Sequence, residues 1–475
     1  MILPWRLAFG LMIAVLAQSG PVFAVEGDDS GVLRLDQDSK GAQQPKTLEE
    51  RLDELEKRQA ISDRLRELFQ EREEQRIKED PVLEVGRDGF LLRSRDRDFE
   101  LRIRGYMQFD SRFYLADNKP STTNTFDVRR ARPVFQGTLY RYFDYYIMPD
   151  FGQGQVILFD AYGGLNIWDQ LRLRIGKYRP PMSVEMLQSA ADTLFVERSV
   201  ALNLVPNRDI GIQLYGDLFD NRLGYQVGIF NGVADNTTNG GSPPDFDQNN
   251  AKDYIGRLFA RPLGGSNQDW IEGLQIGVAG SAGQQLGILD SYRIPGQGSD
   301  GITFFTYRSG AQANGARYRL NPQMYYSWGP FGLLAEYVYH WQRVQAAPAQ
   351  GGRVEVLNDR AWNAEVSYVL TGEKASYTGV RPWQTFNPSK GTWGAVEVKA
   401  RYNELRVDPN SFPVFADPSA SARKVRAWAV GVNWYFAYRI KAMLDYEQGI
   451  FDGGAPRNGN LEREHLILTR FQIAW

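Results

Sequence analysis

The last ten residues, 466–475, read LILTRFQIAW. Ile467, Thr469, Phe471, Ile473 and Trp475 share one parity; Leu466, Leu468, Arg470, Gln472 and Ala474 share the other. A period of two is the signature of a β-strand, whose successive side chains point to opposite faces. One face here is almost wholly apolar and the chain ends on an aromatic. A water-soluble edge strand rarely shows that pattern, whereas a strand of a membrane barrel, with lipid outside and aromatics at the interface, requires it.

The same alternation recurs upstream. Over 99–115, Leu101, Ile103, Met107, Phe109, Phe113 and Leu115 oppose Arg102, Arg104, Tyr106, Gln108, Asp110, Arg112 and Tyr114. Counting such segments predicts sixteen strands, at 99–115, 126–141, 143–151, 156–166, 170–178, 209–218, 222–232, 253–261, 272–282, 315–328, 331–345, 360–370, 393–406, 425–436, 438–449 and 464–475. An even number sets both ends of a closed barrel on one side, with short turns there and long loops opposite. Tyr142, 219–221 and Gly329-Pro330 fit short turns; 231–250, 283–314, 350–359, 408–423 and 452–462 fit long polar loops. The segment 371–392 is long where a short turn is due. The expected fold is all-β, a transmembrane antiparallel barrel wide enough for an aqueous lumen.

Composition agrees. The chain has 475 residues, a net charge of −2, 24 Tyr, 26 Phe and 11 Trp, with a mean hydropathy of −0.43. A helical membrane protein cannot average so polar, but a barrel with only alternate residues in lipid can. Near-zero net charge argues against nucleic acid as a partner. The absence of cysteine excludes disulfides, thiolate metal sites and cysteine nucleophiles. His340 and His465 have no metal-site spacing, and no cofactor is implied.

Ahead of the body, Arg6, an apolar run over 7–17 and Val22-Phe23-Ala24 predict a cleaved export signal, residues 1–24. A polar linker follows over 25–46. Residues 47–80 predict a helical arm before the barrel body at 81–475: Thr47 and Glu50 form a capping box, Leu48, Leu52, Leu55, Ile61, Leu65 and Leu68 make narrow stripes, and Asp53–Lys57 and Glu54–Arg58 are i,i+4 pairs. The stripes suggest a coiled-coil, oligomerising arm, broken in register between Leu55 and Ile61.

Two features bear on the solute. The connection 178–208 is long and apolar for a free loop, with Met182, Met186, Leu187, Leu194, Phe195 and Val200, and is expected to fold into the lumen as a constriction. Cations dominate the inward parity: Arg102, Arg104, Arg112, Arg130, Arg132, Arg172, Arg174, Arg317, Arg319, Lys399, Arg401, Arg439, Lys441 and Arg470. Fixed cations lower the barrier for anions. The opposing reading is that they pair with Glu100, Asp110, Asp160, Glu365, Glu397, Asp445 and Glu447 for stability.

Gly89-Phe90 followed by 99–108 (FELRIRGYMQ), Arg129-Arg130-Ala131, Gly176-Lys177, Glu197-Arg198-Ser199, 370–373 (LTGE) and 431–435 (GVNWY) together resemble the phosphate-selective porin O and P family over most of the body. The resemblance implies a sixteen-stranded trimeric outer-membrane barrel with its third loop in the pore, passing phosphate or similar small anions. It also implies eyelet roles for Arg129 and Arg130. Strict alternation turns only one of that pair inward, so both can act only if a bulge or a loop junction intervenes. With Arg132, Arg174, Lys177, Arg179 and Arg198 they form the candidate constriction and anion-binding set. Where the phosphate-selective members have a lysine six residues before the Glu-Arg motif, this chain has Ala191. Competing readings are a sugar porin using Tyr106, Tyr114 and Tyr162, an enzyme on a barrel scaffold, and a soluble β-protein such as a lectin.

Overall fold

A computed structural model describes residues 47–79, 81–86, 89–115, 123–233, 249–266, 268–294 and 301–475. The expected signal peptide and linker lie outside the described residues. The chain divides into two units, Met1–Gln75 and Arg76–Trp475.

Most of helix α1, Leu48–Glu79, belongs to the first unit. Its i,i+4 pairs form as the spacing requires, Lys57 Nζ to Asp53 at 2.6 Å and Arg58 to Glu54 at 3.0 Å. Its apolar stripe, Leu52, Leu55, Ile61, Leu65 and Leu68, is exposed.

The second unit is a closed sixteen-stranded antiparallel barrel. Its strands are β1 Phe99–Tyr114, β2 Thr125–Leu139, β3 Phe143–Asp150, β4 Ile157–Trp168, β5 Leu171–Tyr178, β6 Asp209–Leu218, β7 Leu223–Phe230, β8 Asp253–Ala260, β9 Gln275–Gly287, β10 Gln312–Trp328, β11 Phe331–Gln345, β12 Val354–Val369, β13 Ala395–Arg406, β14 Ala422–Ala437, β15 Ile440–Ala455 and β16 Glu464–Ala474. Every expected strand is present. Several run further toward the long-loop side than expected, notably β9, β12 and β15, because pairing continues there after the apolar alternation ends. The terminal strand closes the barrel: Leu466 to Ala474 pair with Tyr114 to Tyr106, and Trp475 exchanges both backbone hydrogen bonds with Gly105 at 3.2 and 3.0 Å. A hairpin, Val82–Gly86 and Gly89–Arg93, covers the part of β1 that extends beyond Trp475. An open edge would otherwise remain there.

Phe109, Val227, Val278, Leu320, Val432, Leu444 and Phe471 stand exposed on the outer face. Each buried CH₂ is worth ~0.8 kcal/mol, so a barrel presenting this surface to water would aggregate; lipid is the solvent that removes the penalty. Among the described residues no helix is long and apolar enough to cross a membrane.

The long connections are not all solvent loops. Within 288–311, Tyr292–Ile294 pairs with Ile302–Phe305, and Tyr292, Ile294, Phe304 and Phe305 are buried. They pack with Met182, Leu202, Val338, Leu405, Val425 and Phe451 in one apolar cluster. The expectation of a long polar loop there is corrected: four apolar side chains carry it inward. The irregular segment 371–392 also has a physical cause. Ala375 and Val380 are buried against Val369, Ala395 and Tyr435, and the Tyr377 hydroxyl donates to the Val184 carbonyl at 2.6 Å. It is a strap reaching the connection between β5 and β6 from the short-turn side.

Candidate functional site: the barrel constriction

The loop 179–208 lies inside the barrel, as its apolar content predicts. Met182, Met186, Val200, Ala201, Leu202, Leu204 and Val205 are buried with the barrel wall. A short helix, Val184–Leu187, starts at Ser183, whose Oγ accepts from the Met186 amide at 3.0 Å. Backbone carbonyls buried in a barrel need donors, and the wall supplies them. Gln108 donates to Ala190 O (2.8 Å), Gln472 to Ala191 O (2.8 Å), Lys441 to Thr193 O (2.9 Å), Lys399 to Leu194 O (2.6 Å) and Arg401 to Glu197 O (2.7 Å).

That arrangement decides what most inward cations do. Arg112, Arg317, Arg319, Lys399, Arg401, Lys441 and Arg470 point inward, but none is more than 4% exposed. Arg470 makes a bidentate pair with Asp110, 2.7 Å for each bond. Arg317 and Arg319 share Asp253 at 2.6 and 3.3 Å. Lys399 pairs with Asp445 at 2.6 Å and Arg401 with Glu447 at 2.9 Å. Arg439 holds Asp192 of the loop with two bonds of 2.9 and 3.0 Å. These residues, expected to line open water, instead hold the loop and its neighbours in place. Arg102, on the short-turn side of β1, pairs with Glu100 at 3.2 Å; Arg104 shares its inward parity.

The constriction is built around β2. The β1–β2 register shifts between Gln108, opposite Arg130, and Phe109, opposite Val128. Arg129 is the extra residue of that bulge, and both arginines therefore reach the lumen side. Arg129 Nε meets Glu197 at 3.1 Å, which also takes Arg112 at 2.6 Å. Arg130 donates to the Gln108 side-chain oxygen at 2.8 Å. Arg132 pairs with Asp150 at 2.7 Å and donates to the Tyr106 hydroxyl at 2.9 Å. Its guanidinium and that of Arg208 each lie 3.8 Å from the centre of the Phe159 ring.

Arg179 and Arg198 converge on one acceptor, donating to the Gln188 carbonyl at 2.8 and 2.7 Å. Among the described residues neither forms an ion pair, nor do Arg130 and Arg174. Burial first, and then the nearby guanidiniums of Arg208 and Arg198, press the Arg179 pKa well below its usual value. Arg174 sits among the rings of Tyr162, Tyr215 and Tyr178, at 4.5, 4.8 and 5.2 Å from their centres. Lys177 has the opposite parity to Arg174 and is buried.

Ala191 is 5% exposed, among Tyr106, Val134, Met148 and Ala474. The position where phosphate-selective members carry a lysine is thus packed into apolar surface. Sequence reasoning missed Gln188, Gln108, Arg208 and Tyr377, because an acceptor carbonyl or a strap contact leaves no spacing signature. His340 on β11 and His465 on β16 are not brought together.

None of the curated proteins matches this chain. Among solved structures, the outer-membrane channel DcaP of Acinetobacter baumannii is 11% identical with a TM-score of 0.50, covering 80% of this chain and 99% of its own. An anion-selective porin from Comamonas acidovorans is 11% identical with a TM-score of 0.43, covering 79% and 99%. The trimer form of Vibrio cholerae OmpT is 12% identical with a TM-score of 0.44, covering 79% and 99%. Residues 99–475 match the model for phosphate-selective porin O and P, the whole barrel from β1 to its closing strand, and the chain belongs to that family of outer-membrane channels.

Proposed function

We propose that this channel admits small anions by passive diffusion, and that it takes phosphate as one anion among several. The observation that carries the reading is the pair Arg179 and Arg198, both directed at the Gln188 carbonyl without a carboxylate partner among the described residues. An arginine fork with donors to spare donates readily to a phosphate or carboxylate oxygen. Arg130 adds a third such cation from the bulge. Two acids that could reverse the sign are ion-paired, Asp192 with Arg439 and Glu197 with Arg112 and Arg129. Ala191 argues against a phosphate-dedicated eyelet.

The sugar reading is weaker, since Tyr106 serves Arg132 and Tyr162 serves Arg174. We take the assembly to be a homotrimer in outer-membrane lipid, as the family resemblance implies, with α1 as an oligomerising arm and residues 1–24 as the export signal. The test is chloride conductance in a planar bilayer under rising phosphate. A graded decline at millimolar phosphate supports a general anion pore. Block at micromolar phosphate would show a dedicated site, and indifference to phosphate would remove it from the solutes.

A further inference from the structure

Beyond the pore, the outer face of β12–β14 carries a row of cations that neither lipid tails nor the lumen can use. Arg360 is directly opposite Arg406, and Arg406 is directly opposite Lys424. All three have outward parity, and like charges in direct cross-strand register repel. One register step toward the membrane, Arg426 adds a fourth cation. Among the described residues two carboxylates answer: Glu404 beside Arg406, and Asp452, which takes Lys424 and Arg426 at 2.9 Å each. Four cations against two carboxylates leave the patch positive; among the described residues Arg360 meets no carboxylate, only the neutral Asn358 at 3.3 Å and the Tyr339 ring.

Its height on the barrel says what meets it. The row lies at the long-loop end, which faces the exterior. Just below it, on the outer face, come Trp362 and Tyr402, with ring centres 5.2 Å apart, and Trp428 with Tyr446, at 5.4 Å. Such rings mark the headgroup level of the bilayer. Cations immediately beyond an aromatic girdle sit among lipid headgroups, where each attracts an anionic one.

We propose that Arg360, Arg406 and Lys424 form a docking surface for a phosphorylated lipid headgroup of the external leaflet. Adjacent strands are about 4.8 Å apart, so the row spans roughly 10 Å. That is room for two phosphates on one sugar headgroup, each held by a guanidinium or ammonium. The contact relieves the cross-strand repulsion and ties the barrel to surrounding lipid on the side carrying β12–β14. It is independent of which ion the pore prefers.

The test titrates the detergent-solubilised full-length protein with diphosphorylated lipid A, with the same lipid dephosphorylated, and with inorganic phosphate as competitor. The expected result is binding of the phosphorylated form about tenfold tighter at physiological salt. That preference should be lost in Arg360→Gln/Arg406→Gln/Lys424→Gln and strengthened in Asp452→Asn, with conductance and reversal potential unchanged in both. Equal binding of the two lipids, or full affinity in the triple variant, would overturn the proposal. So would complete displacement by millimolar inorganic phosphate, which would make this a free-anion site, and so would a changed oligomeric state in the triple variant, which would make the row a subunit contact.

Discussion

Replacing Glu197 with glutamine should strengthen anion preference and weaken the fold together. Glu197 is the carboxylate at which Arg112, Arg129 and the constriction loop meet, and the Arg112–Glu197 pair is closed at 2.6 Å with side chains 3% and 4% exposed. Removing one partner of a buried pair costs about 3–5 kcal/mol, since the other charge stays buried. The amide oxygen can still accept one arginine bond, so the lower end, about 3 kcal/mol, is expected. The loop itself should stay in place, because Arg401 holds the Glu197 backbone carbonyl rather than its side chain. For an anion about 8 Å away, loss of the negative charge is worth roughly 2 kcal/mol at an effective dielectric of about 20. Salt reduces that. The variant should show a larger anion reversal potential in a salt-gradient bilayer and a lower guanidinium midpoint in detergent. An unchanged reversal potential together with an unchanged midpoint would refute the account of Glu197 as the buried counter-charge of the eyelet.

Arg439→Ala removes the two-bond link to Asp192 and should raise open-channel noise and mean conductance, read from single-channel traces. Tyr377→Phe deletes the 2.6 Å bond from strap to loop and should cost about 1 kcal/mol in the detergent unfolding midpoint. Gly137→Val should abolish folding into the heat-resistant form seen by gel shift, because a Cβ there would lie 1.8 Å from the Glu100 carbonyl oxygen. Leu55→Asp/Leu65→Asp on the exposed stripe of α1 should leave conductance per channel intact while lowering oligomer stability in detergent, measured by light scattering.

The barrel was legible because lipid on one side and water on the other enforce strict alternation, so each strand carries its own evidence in ten or so residues. Closure by residues 466–475 follows from the same rule. The loop 179–208 was legible from Met182, Met186 and Val200, which no solvent loop would expose. The pair Arg129-Arg130 posed a condition, a bulge or a loop junction, and the register shift beside Gln108 meets it in the first way. What could not be read was which inward cations stay open to the pore. Lys399, Arg401 and Lys441 have inward parity, but loop carbonyls far away in sequence cover them, and Arg130 is itself only 7% exposed. Parity fixes the face; only the path of a distant segment fixes exposure. The inward hairpin at Tyr292 and Phe305 and the strap at Tyr377 were hidden for the same reason, since short apolar runs inside polar loops have no periodicity to declare where they pack.

On the proposed function, Arg179 and Arg198 set the sign of the constriction. The direct measurement is the zero-current potential across a planar bilayer under a tenfold potassium chloride gradient, for the natural protein and for Arg179→Gln/Arg198→Gln. The expected result is an anion-selective potential in the natural protein that falls toward zero or reverses in the double variant. Cation selectivity in the natural protein, or identical potentials in the two proteins, would contradict it.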